Sequence, residues 1–510
     1  MMSGPFAPVE GEAYEAEMEV VEGAVPPDLV GAFVRTGPNP KLPPLGGYHW
    51  FDGDGQVHAV RFHGGGRASY GSRWVRTARL EQEERIGVPL GVKIGDLHGW
   101  SGLGHLALGK AAQWLGVMPA KDGMGTANTA LAFHAGRLLA LQEADLPYSL
   151  RIACSGLVET VGRVTFGGQV QHAFTAHPKR DPETGELFYF GYSVERKPYC
   201  WYGWLDAAGG VVRDLPVPLP EPVLMHDFAL TARHALLLDV PLVFDPQAGG
   251  GTLPFVLKKR PLRIGVLPRY AESAKSIRWF ETESAHCFHV ANAWEEGATI
   301  RLHLCPAKHF SLDSFHAGDD AWPHLCEVVL DLEAGTCTGL RRLCPLPCEF
   351  PVVPASLLGR PTRYAYISTF EEGRGGLPVF SGIAKVDLQA PGENRGLVGT
   401  IQHVGRRLGG EAYFVPKPAP GSGSAAGNGT AASHRASRVG QAEDDGYLMT
   451  FVVDEGSGAS ELVVYDSASM SDVPVVRLAA PQRIPLGFHS TWVTGAELQA
   501  QGRAEEAVHA

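Results

Sequence analysis

Four histidines stand in comparable settings and could act together in one chemical site. His177 precedes a proline at the predicted end of a strand, within the stretch 174–186 that continues into a turn. His226 follows a methionine, whereas His289 and His489 each follow a phenylalanine. A lone histidine in such a setting indicates little. Four of them indicate a shared site, provided that the fold brings them together.

The four histidines are far apart in the chain and unevenly spaced, which excludes local motifs such as two histidines on one helix. Such spacing is typical of a site to which several sheets each contribute one ligand on a common axis, as in a propeller channel. Four neutral imidazoles suit a divalent transition metal. Iron with open coordination positions could bind dioxygen and a substrate together, whereas a structural zinc more usually has cysteine ligands and a hydrolytic zinc three protein ligands.

A histidine that binds a metal needs an acceptor at its other ring nitrogen. Three glutamates at apolar strand ends are candidates for that role: Glu143, Glu349 and Glu411. A carboxylate in the apolar sequence after Cys348 is costly to bury without a partner. An ion pair with an arginine would serve equally well, so the sequence leaves both interpretations open.

The elements that must position these residues are short strands. Glycine (63 residues) and proline (38 residues) are abundant, and charged residues make up only 19% of the chain. Apolar runs alternate with turn residues, for example at 136–142, 234–240, 326–332, 363–369 and 447–453. This pattern favours a sandwich array or a propeller, although no crisp repeat motif is visible.

Composition also excludes some functions. The net charge of −11 and the lack of a basic stripe argue against nucleic-acid binding. The acidic N-terminus has the features of neither a signal nor a transit peptide, so we expect a cytoplasmic enzyme. The eight cysteines contain no Cys-x-x-Cys pair and are expected to be reduced thiols.

Two segments depart from the strand pattern. Residues 97–118 are apolar and have helical spacing, but they are too short and too rich in glycine for a transmembrane span. They fit either an ordinary core helix or an amphipathic patch in a membrane interface. Residues 417–444 are of low complexity and are predicted to form a flexible surface loop.

Several motifs, in order, carry a family resemblance over nearly the whole chain. They lie at 37–40, 48–55, 176–186, 225–228, 288–296, 349–351 and 487–489. With them the chain resembles the carotenoid cleavage oxygenase family. Further stretches are similar to the cytosolic plant-type dioxygenases that cut carotenoids at the 9,10 and 9′,10′ double bonds; they lie at 93–97, 126–131, 138–148, 265–271 and 277–280.

The resemblance implies a single all-β domain over residues 1–510, a seven-bladed β-propeller with axial iron, capped by a dome of loops and short helices. It implies Fe(II) held by four ligands, His177, His226, His289 and His489. Three glutamates would orient three of these ligands: Glu143, Glu349 and Glu411. The expected reaction is oxidative cleavage of a conjugated alkene by O₂ into two carbonyl products. Peripheral membrane association through residues 97–118 is also implied, which favours the membrane interpretation of that segment.

Some points stay open in the sequence. His286 competes with His289 as a ligand, and we prefer His289 because of its Phe-His context. Ser490 and Thr491 replace a pair of smaller residues that is commoner in the family. Within the same fold, the substrate could instead be a stilbene or an apocarotenoid, or the chain could isomerise a retinoid-like ester without O₂. A propeller that only binds carotenoid is a further alternative, but the retained histidines and glutamates oppose it.

Overall fold

The computed structural model describes residues 2–506, except 46, 92–93, 97–98, 119–122, 246–254, 310–321, 372–378 and 418–441. Most of the predicted loop at 417–444 therefore lies outside the described residues. The chain starts with five strands, β1 (Ala13–Glu17), β2 (Glu19–Gly23), β3 (Val30–Pro38), β4 (Gly55–Gly64) and β5 (Arg67–Trp74). These strands join sheets that are completed only near the end of the chain.

The first three blades follow in chain order. Blade one contains β6 (Ala130–His134), β7 (Arg137–Leu141), β8 (Tyr148–Ile152) and β9 (Val158–Arg163). Blade two contains β10 (Lys179–Arg180), β11 (Leu187–Tyr192), β12 (Cys200–Leu205) and β13 (Val211–Val217). Blade three contains β14 (Phe228–Leu230), β15 (His234–Asp239), β18 (Leu262–Pro268) and β19 (Arg278–Thr282), and a separate hairpin contains β16 (Leu242–Phe244) and β17 (Phe255–Leu257).

The remaining blades close the ring. Blade four contains β20 (His286–Glu296), β21 (Thr299–Ala307), β22 (Cys326–Asp331), β23 (Thr336–Cys337) and β24 (Arg341–Arg342). Blade five contains β25 (Cys348–Val352), β26 (Tyr364–Phe370), β27 (Phe380–Asp387) and β28 (Leu397–Gln402). Blade six contains β29 (Arg407–Leu408), β30 (Tyr413–Pro416), β31 (Gly446–Asp454), β32 (Ser460–Asp466), β33 (Val476–Ala479) and β2, and blade seven contains β34 (Ser490–Thr494), β3, β4, β5 and β1.

The described residues thus form a seven-bladed, antiparallel β-propeller, as predicted. Closure depends on pairing the two ends of the chain: β34 pairs with β3, and β33 pairs with β2. In this way strands from both ends of the chain complete blades six and seven. It also fixes His489, which directly precedes β34, relative to the blades built earlier in the chain.

Helices are few among the described residues. They are α1 (Ala78–Ile86), α2 (Gly99–Trp114) and α3 (Gly495–Glu506), together with short 3-10 turns at Gly4–Phe6, Trp50–Asp52, Ile94–Asp96, Phe166–Gly168, Ala274–Ser276 and Ala355–Leu357. The hydroxyl of Thr77 caps α1 by accepting a hydrogen bond from Leu80 N at 3.1 Å. Gly87, with φ of +77°, ends this helix in the left-handed conformation. All eight cysteines are free thiols.

The core lies between the faces of neighbouring blades. The largest buried cluster joins blades two, three and four. For example, Phe190 of β11 meets Phe228 of β14 edge to face, with ring centroids 5.4 Å apart. Because both faces of most strands are buried, the strands carry apolar runs rather than strict alternation. This packing is what holds the edge strands around the axis.

The edge strands position the histidines. Strands β10, β14, β20 and β34 each lie at one edge of their sheet, and each carries one of the four histidines or begins within two residues after it. His177 was predicted at the end of a strand, but it lies just before β10, because Pro178 has no N–H to donate to a neighbouring strand. The predicted turn at 181–185 is confirmed, since Asp181 Oδ1 accepts hydrogen bonds from Glu183 N and Thr184 N.

Candidate metal centre

The structure brings the four predicted histidines together. The nitrogen atoms that they offer all lie within 4.8 Å of one another. Nε2 of His177 is 3.0 Å from Nε2 of His226, and the ring of His177 lies 4.5 Å from that of His489, centroid to centroid. His286, the competing candidate, lies outside this group, and its Nε2 is 2.8 Å from the carbonyl oxygen of His309. The geometry therefore agrees with the choice of His289.

Local irregularities aim the histidines. His289 lies where the register between β20 and β21 shifts, between Cys287 and Val290. A bulge of this kind redirects a side chain out of the regular pleat. His226 and His489 each directly precede a short loop-to-strand transition, so their backbones do not have to follow the ladder. The four rings can therefore converge from four blades.

The three predicted glutamates each contact one histidine ring, which settles a pairing that the sequence left open. Glu143 Oε2 lies 2.7 Å from His226 Nδ1, and Glu349 Oε2 lies 2.6 Å from His289 Nδ1. Glu411 Oε1 lies 2.8 Å from His489 Nδ1. Among the described residues, none of the three carboxylates pairs with an arginine. Because each of these three Nδ1–H groups donates to a carboxylate, the Nε2 atom of the same ring is the unprotonated nitrogen.

Each carboxylate is itself held by a second donor. The hydroxyl of Tyr192 donates to Glu143 Oε1 at 3.1 Å. Backbone N–H groups donate to the other two carboxylates. Phe350 N donates to Glu349 Oε2 at 2.7 Å, and Ser490 N donates to Glu411 Oε2 at 2.6 Å. Since Ser490 acts here through its backbone, its replacement of a smaller residue leaves this contact intact.

His177 is supported differently. Among the described residues, no carboxylate is bonded to its ring. Its backbone N–H donates to Thr175 Oγ1 at 2.9 Å, and Pro178 follows it directly. The position of this histidine therefore depends on its backbone rather than on a ring hydrogen bond to an acid.

Burial sets the protonation of the cluster. It lowers the pKa of His177 well below the ordinary value, and the three neighbouring histidines lower it further. The pKa of His289 is lowered well below its usual value in the same way. Burial acts on His226 too, but the charge and hydrogen bond of Glu143 outweigh it and raise the pKa of His226. His177 and His289 are thus neutral near pH 7, as metal binding requires.

Burial also raises the pKa of Glu349 to about 8, although the N–H of Phe350 and nearby histidines oppose the shift. A cation at the axis would favour the ionised form of this carboxyl. Nε2 of His289 is buried and has no hydrogen-bond partner among the described residues. A buried nitrogen of this kind, aimed at three other imidazoles, fits a metal ligand, and the imidazole donor set suits a transition metal.

Aromatic rings adjoin the cluster. The ring of Phe350 lies 5.0 Å from that of His489 and 5.4 Å from that of His289, and Phe288 meets His226 edge to face at 5.3 Å. Phe350 has φ of +53°, which is unusual for a bulky residue and places strain beside the site. Sequence reasoning missed Tyr192 and the conformation of Phe350. The residue types around Phe350 give no signal for the latter, since a bulky residue rarely adopts a positive φ.

The structure thus combines a seven-bladed propeller with four converging histidines and three attendant carboxylates. Comparisons with known proteins show the class to which such a protein belongs. A family model described as retinal pigment epithelial membrane protein matches residues 6–494. The carotenoid 9,10(9′,10′)-cleavage dioxygenase 1 of Pisum sativum is 39% identical over 518 residues, which cover 98% of this chain and 91% of the relative.

Solved structures extend the likeness to the fold. The lignostilbene dioxygenase of Pseudomonas brassicacearum superposes with a TM-score of 0.80 at 26% identity, covering 97% of this chain and 98% of that one. The cobalt-substituted apocarotenoid oxygenase of Synechocystis gives a TM-score of 0.76 at 26% identity, covering 96% and 98%. The chain therefore belongs to the carotenoid cleavage oxygenase family, and it is a dioxygenase of that family.

Proposed function

We propose that this dioxygenase uses Fe(II) to cleave conjugated C=C bonds of carotenoids at the 9,10 and 9′,10′ positions, giving apocarotenoid aldehydes and ketones. The observation that carries the proposal is the cluster of four imidazoles, three of which are bonded to glutamates at Nδ1. The names of the full-length relatives from Pisum sativum and Crocus sativus support the substrate and the cleaved bonds.

In this proposal the ligands are His177, His226, His289 and His489, and Glu143, Glu349 and Glu411 orient three of them. Iron, when bound, supplies the redox chemistry that activates O₂. The chain holds the Nε2 atoms of His226, His289 and His489 unprotonated toward the axis, because the three carboxylates accept the Nδ1 protons of these rings. Neutral ligands add no negative charge to the metal, which distinguishes this site from carboxylate-ligated centres.

The apolar surroundings favour a hydrocarbon substrate. Phe288 and Phe350 contact the histidine rings, and Phe350 continues into an aromatic group that includes Phe370 and Phe380. Such side chains exclude water and offer contact area to a polyene. They donate no hydrogen bond, so they suit a substrate without polar groups near the cleaved bond.

A second candidate is cleavage of stilbenes or shorter apocarotenoids. Solved structures that superpose on this chain include a lignostilbene dioxygenase and an apocarotenoid oxygenase, each at 26% identity. Their likeness supports a common centre that can accept different conjugated alkenes.

Product analysis separates the two candidates. The protein is purified anaerobically, its metal content is measured, and O₂ is added with a C40 carotenoid in detergent. We expect roughly one iron per chain, from the four-ligand argument, and mass spectra of a C13 ketone and a C14 dialdehyde. Parallel reactions with a hydroxystilbene and with a C27 apocarotenal provide the comparison. If the protein binds iron but forms no C13 and C14 products, the substrate is instead the hydroxystilbene or the apocarotenal, whichever is cleaved. A protein that binds no iron would contradict the proposal.

We further propose that residues 97–118 dock the protein on a membrane surface. Within the described residues no helix is long and apolar enough to span a bilayer. Instead, α2 and the turn after it expose apolar side chains: Leu108 is 50% exposed, Trp114 86% and Leu115 65%. Ala112 and Met118 are buried. An exposed apolar face beside a buried one supports an interfacial segment, and an exposed tryptophan is typical of membrane interfaces.

Sedimentation with phospholipid vesicles tests this docking. Replacing Trp114 and Leu115 by glutamate should abolish co-sedimentation, because acidic side chains oppose insertion into the interface. The control is Val473→Glu, which places the same charge at a valine that is 70% exposed elsewhere on the surface. Equal vesicle binding by the two variants would exclude the segment as the docking site.

A further inference from the structure

Asp227 lies at the junction of three histidine segments. It follows His226 directly and is 2% exposed. Its Oδ1 accepts a hydrogen bond from Phe228 N at 2.7 Å and lies 2.7 Å from Lys179 Nζ. Its Oδ2 accepts a hydrogen bond from Val290 N at 2.8 Å. One buried carboxylate therefore connects its own segment to two distant parts of the chain.

Two of these contacts come from blades that carry other histidines. Lys179 is the second residue after His177, and only Pro178 separates them. Val290 directly follows His289 and lies where the pairing of β20 with β21 is irregular. The carboxylate of Asp227 therefore links the segment of His226 to two others. It binds the backbone next to His289, and it binds the Lys179 side chain two residues after His177.

This link compensates for the missing acid at His177. The rings of the other three histidines are fixed by glutamates, whereas among the described residues no carboxylate reaches the ring of His177. Its placement depends on Thr175, through the N–H contact, and on the anchored Lys179. An error of about 1 Å in a ligand position is enough to weaken a metal site strongly.

We propose that Asp227 is a positioning residue, which holds the segments of His177, His226 and His289 in one arrangement at the axis. This inference rests on the proposed function, because it assigns the residue a role toward the metal. A buried ion pair is in itself weak evidence for stability, since desolvation offsets much of the attraction. The Asp227–Lys179 pair differs from other buried ion pairs in its position. Asp227 directly follows His226, Lys179 is two residues after His177, and Asp227 also binds the backbone N–H next to His289.

Co(II) binding to the metal-free protein provides the test, because its visible absorption reports ligand geometry independently of turnover. We expect Asp227→Asn to weaken Co(II) binding by about tenfold, as for other residues that orient metal ligands, and to alter the absorption spectrum. Lys179→Met should also weaken Co(II) binding and alter the spectrum, but by smaller amounts. Lys179→Arg retains the ion pair and should restore both readouts to nearly the wild-type values.

A matched control separates positioning from folding stability. Lys385 and Asp444 form another lysine–aspartate pair, whose lysine side chain is 2% exposed and also donates to Ser467 O. Lys385→Met/Asp444→Asn should lower the thermal unfolding temperature without changing Co(II) affinity or spectrum. If Asp227→Asn does not fold, Lys179→Met/Asp227→Asn provides the measurement, because it leaves no buried charge unpaired.

Two failures are distinguishable. If Asp227→Asn and Lys179→Met bind Co(II) with wild-type affinity and spectrum and lose only thermal stability, Asp227 is an ordinary structural residue and the inference is wrong. The metal site itself would then stand. If the wild-type protein binds no Co(II) and no Fe(II), the proposed function is wrong.

Discussion

The four axial histidines fall into two groups that are fixed in different ways. His226, His289 and His489 each donate Nδ1–H to a glutamate, whereas His177 is held through its backbone at Thr175 and through neighbouring Lys179. When a carboxylate binds the ring nitrogen, one side chain from another part of the chain determines the orientation of the ring. When only the backbone is held, the orientation of the ring depends on the position of the whole segment. The difference indicates which substitutions disturb one ligand and which disturb several.

Removing a carboxylate-backed ligand should have the largest effect. His226→Ala deletes the imidazole and leaves the half-buried Glu143 without its ring partner. We expect loss of iron loading and of carotenoid cleavage, measured by metal analysis and product mass. His286→Ala is the control, since this histidine is buried nearby but lies outside the cluster. Retention of both metal and turnover in His226→Ala would remove this residue from the ligand set.

Removing only the charge behind a ligand should have a smaller effect. Glu349→Gln keeps the shape but weakens the hold on His289 Nδ1, and we expect iron affinity or activity to fall about 10–100-fold. Glu327→Gln is a matched control, because this buried glutamate pairs with Arg301 and Arg341 instead of a histidine of the cluster. It should lower stability without changing metal affinity. Equal behaviour of the two variants would contradict the orienting role of Glu349.

Acidification should distinguish the histidines from one another. The pKa of His226 is raised by Glu143, so in metal-free protein this ring takes up a proton as the pH falls through a value above 6.5. The pKa values of His177 and His289 are lowered, so these rings stay neutral to much lower pH. Metal affinity should therefore decrease with falling pH, starting at His226, because a protonated imidazole cannot bind the metal.

Histidine NMR of the metal-free protein measures these titrations directly. Glu143→Gln removes the charge that raises the pKa of His226, so the midpoint of that ring should move to lower pH, with His289 unchanged. A His226 midpoint that is insensitive to Glu143→Gln would show that burial, and not this carboxylate, controls its protonation.

The smallest effect is expected one contact further out. Tyr192→Phe removes the hydroxyl that donates to Glu143 and leaves the ring in place. A hydrogen bond to a carboxylate contributes about 1.5–3 kcal/mol, but this one acts on the metal only through Glu143 and His226, so metal affinity should fall by about fivefold, less than the 10–100-fold expected for a residue that orients a ligand directly. Competition binding with a chelator can resolve such a change. An effect as large as that of Glu349→Gln would mean that Tyr192 does more than support a carboxylate.

Much of the site could be predicted because its residues lie in short motifs. Each of the four histidines and three glutamates stands beside an apolar or turn residue that marks a strand end, and that local signal is legible without the fold. The sequence did not show which glutamate contacts which histidine. Glu143 and His226 belong to different blades, and the contact between them depends on how the blades pack around the axis.

The missed features depend on tertiary contacts or backbone conformation. Asp227 was visible in the motif Met-His-Asp-Phe, but its role requires Lys179 and Val290, which come from other blades. The left-handed conformation of Phe350 has no signature in residue type, since a bulky residue rarely adopts it. For the fold, the strands were predictable from their apolar runs. Closure of the ring by β34 and β3 was not, because that pairing joins the two ends of the chain.

The most direct test is anaerobic titration of the metal-free protein with Fe(II), comparing wild type with a variant in which all four axial histidines are replaced by alanine. The account predicts saturation at about one Fe(II) per chain in the wild type and no saturable binding in the variant, with both proteins folded. Saturable binding of equal strength in the two proteins, or none in the wild type, would contradict the four-histidine iron centre.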